Sequence, residues 1–113
     1  MKNLILVSAI IIFLASCAPV KLITPTQADV DRVKVNYPDY NIAALNEGKL
    51  LFEQQCGNCH KLKNPTSKSV ASWNKIVPRM VAKANKKEVK IDPKQQDLIL
   101  KYLVTMSNSK PTQ

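Results

Sequence analysis

Two cysteines and a histidine lie within five residues of one another, at Cys56, Cys59 and His60 of the stretch EQQCGNCHKLK. This histidine is the only one in the 113-residue chain. Residues three positions apart lie on one face of a helical turn, so both thiols can add to the two vinyl groups of one porphyrin edge. Cys-x-x-Cys-His is the attachment motif of c-type haem. The spacing therefore predicts one covalent haem c on Cys56 and Cys59, with His60 as an axial iron ligand.

Three other uses of these residues fit the sequence less well. A structural zinc site takes four ligands, whereas the motif supplies three. A thioredoxin-like redox pair needs a βαβ setting, and the flanking sequence is helical in pattern and basic. A disulfide between Cys56 and Cys59 would close so small a loop that it would stabilise the fold little. Haem attachment remains the prediction.

The N-terminal segment MKNLILVSAIIIFLASC has the layout of an export signal, with one lysine before an apolar run. The run is shorter than the about 20 residues that span a bilayer, and an uncleaved anchor is the alternative. Leu14-Ala15-Ser16-Cys17 resembles the bacterial lipobox. That resemblance implies a signal peptide at 1–16 and fatty acylation of Cys17, for example by palmitate. Acyl chains contribute about 0.8 kcal/mol per buried methylene, so the chain would stay bound to a membrane.

The rest of the chain divides by composition into a spacer, a domain and a tail. Residues 17–40 contain three prolines and no sustained period, which predicts a lipidated N-terminus and an extended tether. Residues 41–107 carry the helical patterns and the motif, and residues 108–113 form a polar tail. No segment shows the alternation typical of a strand, so the domain is predicted to be all-α with about three helices.

Cap residues and apolar spacing place the three helices. The first is predicted to start near Asn41 and to run into the cysteine motif. The second starts after Ser69, and Pro78 is expected to break or kink it. The third has Asp92 as its cap, Pro93 at its first position and a capping-box partner at Gln95.

The stretches NEGKLLFEQQCGNCH, SWNKIVPRM and QQDLILKYL resemble small single-haem bacterial cytochromes c of the class I kind, over about residues 41–107. The resemblance implies an all-α domain around a covalently bound haem. It also implies that a glycine and an aromatic residue of the first helix pack across the last helix. Gly48 and Phe52 would then lie against Ile99 and Tyr102.

Met80 and Met106 are the candidates for the iron ligand opposite His60, because no second histidine exists in the chain. Met106 falls in the apolar stripe of the last helix, which favours core packing. Met80 follows Trp73 and Pro78 at an expected irregularity, and the W…VPRM pattern resembles small cytochromes with an axial methionine. Met80 is therefore the predicted ligand. Met106, ligation by Lys or Asn, and an open site are the alternatives.

The chain has a net charge of +9, and nine basic residues lie between Lys61 and Lys90 against the single acid Glu88. A solvated face that keeps the protein soluble would explain them. The functional interpretation is a docking surface for an acidic redox protein, with charge-led and salt-sensitive contacts. The residues predicted to form it are Lys61, Lys63, Lys75, Arg79 and Lys83. An exported location argues against nucleic acid as the partner.

Ligation by histidine and methionine leaves no open iron position for a substrate and favours the ferrous state. The sequence thus predicts a membrane-anchored electron-transfer protein and no enzyme, with no small-molecule substrate. It would face the periplasm in the cell envelope, with the outer membrane favoured. The alternatives are a fixed haem subunit of a larger oxidoreductase or respiratory complex, and a haem sensor with an open sixth site.

Overall fold

The computed structural model of the chain describes residues 22–57 and 61–109. These residues contain helices and turns and no strand, which confirms the all-α prediction. The α-helices are α1 (Gln27–Val33), α2 (Ile42–Leu51), α3 (Val70–Asn85) and α4 (Pro93–Ser107), with a π-turn at Phe52–Cys56 and a 3₁₀ turn at Pro65–Ser67. None of the helices within these ranges has the length and apolar character required to cross a bilayer.

The predicted starts of α2, α3 and α4 are confirmed by their caps. Asn41 Oδ1 accepts a hydrogen bond from the Ala44 backbone N–H at 2.8 Å, and Ser69 caps α3 in the same way. At α4, Asp92 Oδ1 accepts from the Gln95 N–H at 2.8 Å, while the Gln95 side chain accepts from the Asp92 N–H at 3.0 Å. Each cap pairs backbone groups that a helix end would otherwise leave without a partner.

Helix α3 runs through Pro78 without interruption, so the predicted break is wrong. A proline removes the hydrogen bond to the carbonyl four residues earlier, here that of Asn74. Both Pro78 and Asn74 are exposed, so water can reach that side of the helix. The opposite face, which includes Trp73, Val77 and Val81, is buried and holds the helix in place.

Helix α4 is the centre of the fold and packs against the other three helices and the 3₁₀ turn. It crosses α2 at Gly48, where an added Cβ would lie 2.8 Å from Tyr102 Cβ and would overlap the Leu98 carbonyl oxygen. The rings of Phe52 and Tyr102 pack beside this crossing with centroids 5.8 Å apart. The predicted contact of Gly48 and Phe52 with Tyr102 is therefore confirmed. Burial raises the pKa of the Tyr102 phenol above its ordinary value.

Helix α1 corrects the prediction of an extended tether, which is wrong for Gln27–Val33. The Asp29 side chain accepts hydrogen bonds from the backbone and hydroxyl of Thr26, the cap residue of the helix. Val30 is 1% exposed and belongs to the main core. Pro25 and Pro38 lie on either side of α1, where they bound the helix and do not interrupt it.

Candidate functional site

Cys56, the first cysteine of the motif, lies at the point where the chain has changed from an α-helix to a π-turn. Helix α2 passes at Phe52 into the π-turn, which ends at Cys56. A π-turn widens the backbone, and such turns are frequent at functional sites. Cys56 is half-buried and packs against the hydrophobic core. Cys17, Cys59 and His60 lie outside the described residues, and their roles stay predictions.

Two neighbouring cavities open beside Cys56. The larger has a volume of about 300 Å³ and lies between the π-turn, α3, the connection that follows α3 and the middle of α4. The smaller has a volume of about 100 Å³ and lies between the π-turn, the segment after the motif and α3. Cys56 and Met80 line both cavities, so the predicted thioether cysteine and the predicted methionine ligand border the same space.

The walls of these cavities suit a flat apolar macrocycle. Apolar walls of the larger cavity are Val77, Val81, Ala84, Ile91 and Ile99, and those of the smaller are Phe52, Leu62, Trp73 and Ile76. Cofactor sites typically have volumes of about 300–1,000 Å³ with mostly apolar walls and a few polar groups. Cys56 offers a sulfur for covalent attachment and Met80 a thioether for iron. The residues present therefore fit a covalently bound haem.

The two candidate methionines lie in different surroundings. Met80 is half-buried on α3 and reaches both cavities. Met106 is 1% exposed within the hydrophobic core on α4 and lines neither of these two cavities. This arrangement is the one expected if Met80 binds iron and Met106 only packs.

The predicted docking residues separate into two groups in the structure. Lys61 and Lys63 line the smaller cavity and Lys83 lines the larger one. Lys75 and Arg79 are exposed on α3 and line neither cavity.

Two lining lysines, Lys86 and Lys87, were missing from the predicted docking set, although they belong to the same run of basic residues. They follow the end of α3, and the position of that end relative to the cavity depends on tertiary packing. The five lysines that border the cavities, Lys61, Lys63, Lys83, Lys86 and Lys87, are called the mouth lysines below. All five are exposed, so they can meet a partner at the cavity openings.

Apolar lining residues were also missed. Val81 continues the α3 stripe four residues after Val77, a spacing that could have identified it. Ile91 lies in the connection before α4 and carries no periodic signal. Its backbone N–H donates to Asn85 Oδ1 at 2.7 Å and its carbonyl accepts from Asn85 Nδ2 at 3.0 Å, which fixes this connection at the cavity.

A family model described as dihaem cytochrome c matches residues 52–113, more than half of the chain. The match begins in the π-turn and includes the cysteine motif, α3 and α4. It therefore includes all the residues that line the two cavities. No curated protein and no solved structure matches the chain.

Proposed function

This chain belongs to the dihaem cytochrome c family, and we propose that it is a carrier of single electrons with one covalent haem c. The observation that carries this proposal is that Cys56 and Met80 border the same two apolar cavities. When bound, the haem supplies an iron that alternates between the ferric and ferrous states. In this proposal Cys56 and Cys59 would hold it by thioethers, and His60 and Met80 would be its iron ligands.

The surrounding side chains support electron transfer more than substrate turnover. The valines and isoleucines of the cavity walls exclude water and give the site a low polarity. If His60 and Met80 are both iron ligands, no coordination position would be left for a substrate. We therefore expect outer-sphere electron transfer and no enzymatic activity. A thioether ligand and an apolar environment both favour the ferrous state.

The number of haems is part of the proposal. The 113 residues contain one Cys-x-x-Cys-His motif and one histidine, so they supply the attachment chemistry for one haem. The family description names two. This difference favours, as a second candidate function, a haem subunit that works beside a second haem protein within a larger complex. The mass of the intact exported protein and its haem-to-protein ratio would give the number directly.

We further propose that acylated Cys17 anchors the chain to a bacterial membrane with its haem domain facing the periplasm, the outer membrane being favoured. The LASC sequence after a short apolar run supports this. An acidic redox protein is the proposed partner. The exposed mouth lysines support that choice, because weak charge-led contacts permit the fast association and release that electron transfer requires.

Visible spectra of three forms of the holoprotein test the central claim. Oxidised wild type should show the weak far-red band of sulfur-to-iron charge transfer, Met80→Ala should lose it, and Met106→Ala should keep it. Loss of the band only in Met106→Ala would overturn the ligand assignment. A wild-type protein that is high-spin and binds carbon monoxide at once would favour the sensor with an open sixth site.

A further inference from the structure

Trp73 makes a buried hydrogen bond that no step of the proposed function uses. It is the only tryptophan of the chain and is 4% exposed near the start of α3. Its indole Nε1–H donates to the carbonyl oxygen of Pro65 at 2.8 Å. A buried pair of this kind is costly to break, because the carbonyl left behind has no access to water.

Pro65 belongs to the segment that leads out of the haem motif, five residues after His60. It opens the 3₁₀ turn, which packs against α4. Asn64 caps the start of this turn. Its Oδ1 accepts hydrogen bonds from the Thr66 N–H at 3.1 Å and from the Thr66 hydroxyl at 2.9 Å. The acceptor of the Trp73 bond is thus part of an ordered turn fixed to the central helix.

Trp73 and Met80 are seven residues apart, which places them two turns apart on one face of α3. Helix α3 is continuous between them, so a movement of one is transmitted to the other. Both side chains line the smaller cavity together with Cys56. The indole bond therefore connects the methionine face of α3 to the segment that follows the motif.

We propose that Trp73 is a positioning residue for Met80. Its hydrogen bond to Pro65 sets the distance between α3 and the 3₁₀ turn that follows the motif, and this distance keeps the Met80 thioether within reach of the iron. This inference rests on the proposed Met80 ligation. Without the indole N–H, α3 is free to shift from the 3₁₀ turn. The fraction of oxidised protein with Met80 detached should then rise about tenfold, the ratio that corresponds to a buried hydrogen bond of about 1.4 kcal/mol.

Imidazole binding to the oxidised holoprotein measures this fraction, because imidazole can occupy the iron position only when Met80 has left it. The single tryptophan allows specific replacement by β-(3-benzothienyl)alanine, which keeps the ring shape and lacks the N–H. Trp73→Phe is a second variant, and Asn74→Ala is an exposed control on the same turn. We expect about tenfold tighter imidazole binding for both Trp73 replacements and no change for Asn74→Ala.

Repeating the replacements in a Met80→Ala background separates positioning from general loosening of the fold. If Trp73 acts through Met80, its replacement changes nothing further there. The inference would be overturned if the Trp73 replacements left the imidazole affinity unchanged in the protein that retains Met80. It would also be overturned if they raised the affinity equally in that protein and in Met80→Ala. If wild type and Met80→Ala bind imidazole equally well, the Met80 ligation itself fails, and this inference fails with it. A large Met80→Ala effect without any Trp73 effect refutes the positioning role alone.

Discussion

At the level of single residues, Gly48 permits a close approach of α2 to α4. Helix α2 lies so near α4 here that a methyl group would overlap the Leu98 carbonyl, and Tyr102 fills the adjoining space. The obstructing atoms belong to the backbone and the Cβ of a core helix, so they cannot turn away as a flexible side chain would. The absence of a side chain at Gly48 thus sets the α2–α4 distance and, through Phe52, the wall of the smaller cavity.

Gly48→Ala should destabilise the holoprotein by about 1–3 kcal/mol or more, because overpacking would force the two helices apart. The gain in helix propensity from glycine to alanine, about 1 kcal/mol, works in the opposite direction and is included in this expectation. Denaturant unfolding followed by circular dichroism measures the change. Asn46→Ala, at an exposed position of the same helix, is the matched control. Equal or higher stability of Gly48→Ala would contradict the close crossing.

At the scale of elements, the short helix α1 is held by one ionic cluster as well as by its apolar face. Arg32 Nη1 donates to Asp29 Oδ1 at 2.9 Å, and Arg32 Nη2 donates to the Thr105 carbonyl oxygen at 2.9 Å. That carbonyl lies in the last turn of α4, where carbonyls lack helical partners and a positive charge is favoured. Arg32 therefore caps the C-terminal end of α4 and also links α1 to α4.

Asp29→Asn should lower stability at neutral pH by about 1–2 kcal/mol, because it removes a charge from hydrogen bonds to Arg32 and Thr26. Burial by itself would raise the pKa of Asp29, but the bonds from Thr26 and Arg32 outweigh it and hold the pKa below its ordinary 3.8. A carboxyl whose pKa is lowered on folding stabilises the protein above the ordinary value, and this contribution is lost as the pH falls below it.

The difference in unfolding free energy between wild type and Asp29→Asn should consequently be largest at neutral pH and should narrow below about pH 4. Denaturant unfolding at a series of pH values measures it. Gln27→Ala, which removes an exposed hydrogen bond to Asp31 on the same helix, is the control. A difference that stays constant across the acid range would contradict a role for the Asp29 charge.

At the scale of the whole molecule, basic residues surround the openings of an otherwise apolar site. The mouth lysines come from the segment after the motif and from the end of α3, two parts of the chain that meet only in the folded protein. Lys61 and Lys63 border the smaller cavity and the other three border the larger one, so both openings of the proposed haem site carry positive charge. A negatively charged reactant should therefore be attracted to this side, and added salt should weaken the attraction.

The rate of oxidation of the reduced holoprotein by ferricyanide should fall with ionic strength, and removal of mouth charges should lower it. Combined Lys86→Gln and Lys87→Gln should slow the reaction at low salt by up to about eightfold per charge, because a lysine about 10 Å from the three negative charges of ferricyanide attracts them by about 1.2 kcal/mol in unscreened water. Combined Lys34→Gln and Lys94→Gln removes the same net charge at exposed positions that line neither cavity, and should have less effect. Stopped-flow rates that do not change with salt concentration would contradict the proposed docking surface. Equal rates for the two double variants would contradict it as well.

Features that depend on near neighbours along the chain could be predicted from the sequence alone. The caps at Asn41, Ser69 and Asp92 were predictable because each cap binds a backbone N–H only three residues away. The haem attachment motif was recognisable because its chemistry depends on a spacing of three residues. The crossing at Gly48 was also expected, since a family resemblance carries information about packing.

Features that depend on distant parts of the chain are seen only in the folded protein. The tertiary structure placed Met80 beside Cys56 and Met106 in the core, although both methionines stand in apolar helical patterns. It brought Lys86 and Lys87 to the cavity, joined Trp73 to Pro65 and folded Gln27–Val33 against α4. The physical reason is that burial is a property of the assembled helices: the same local pattern contributes to a core, a cavity wall or a surface according to the element that packs against it.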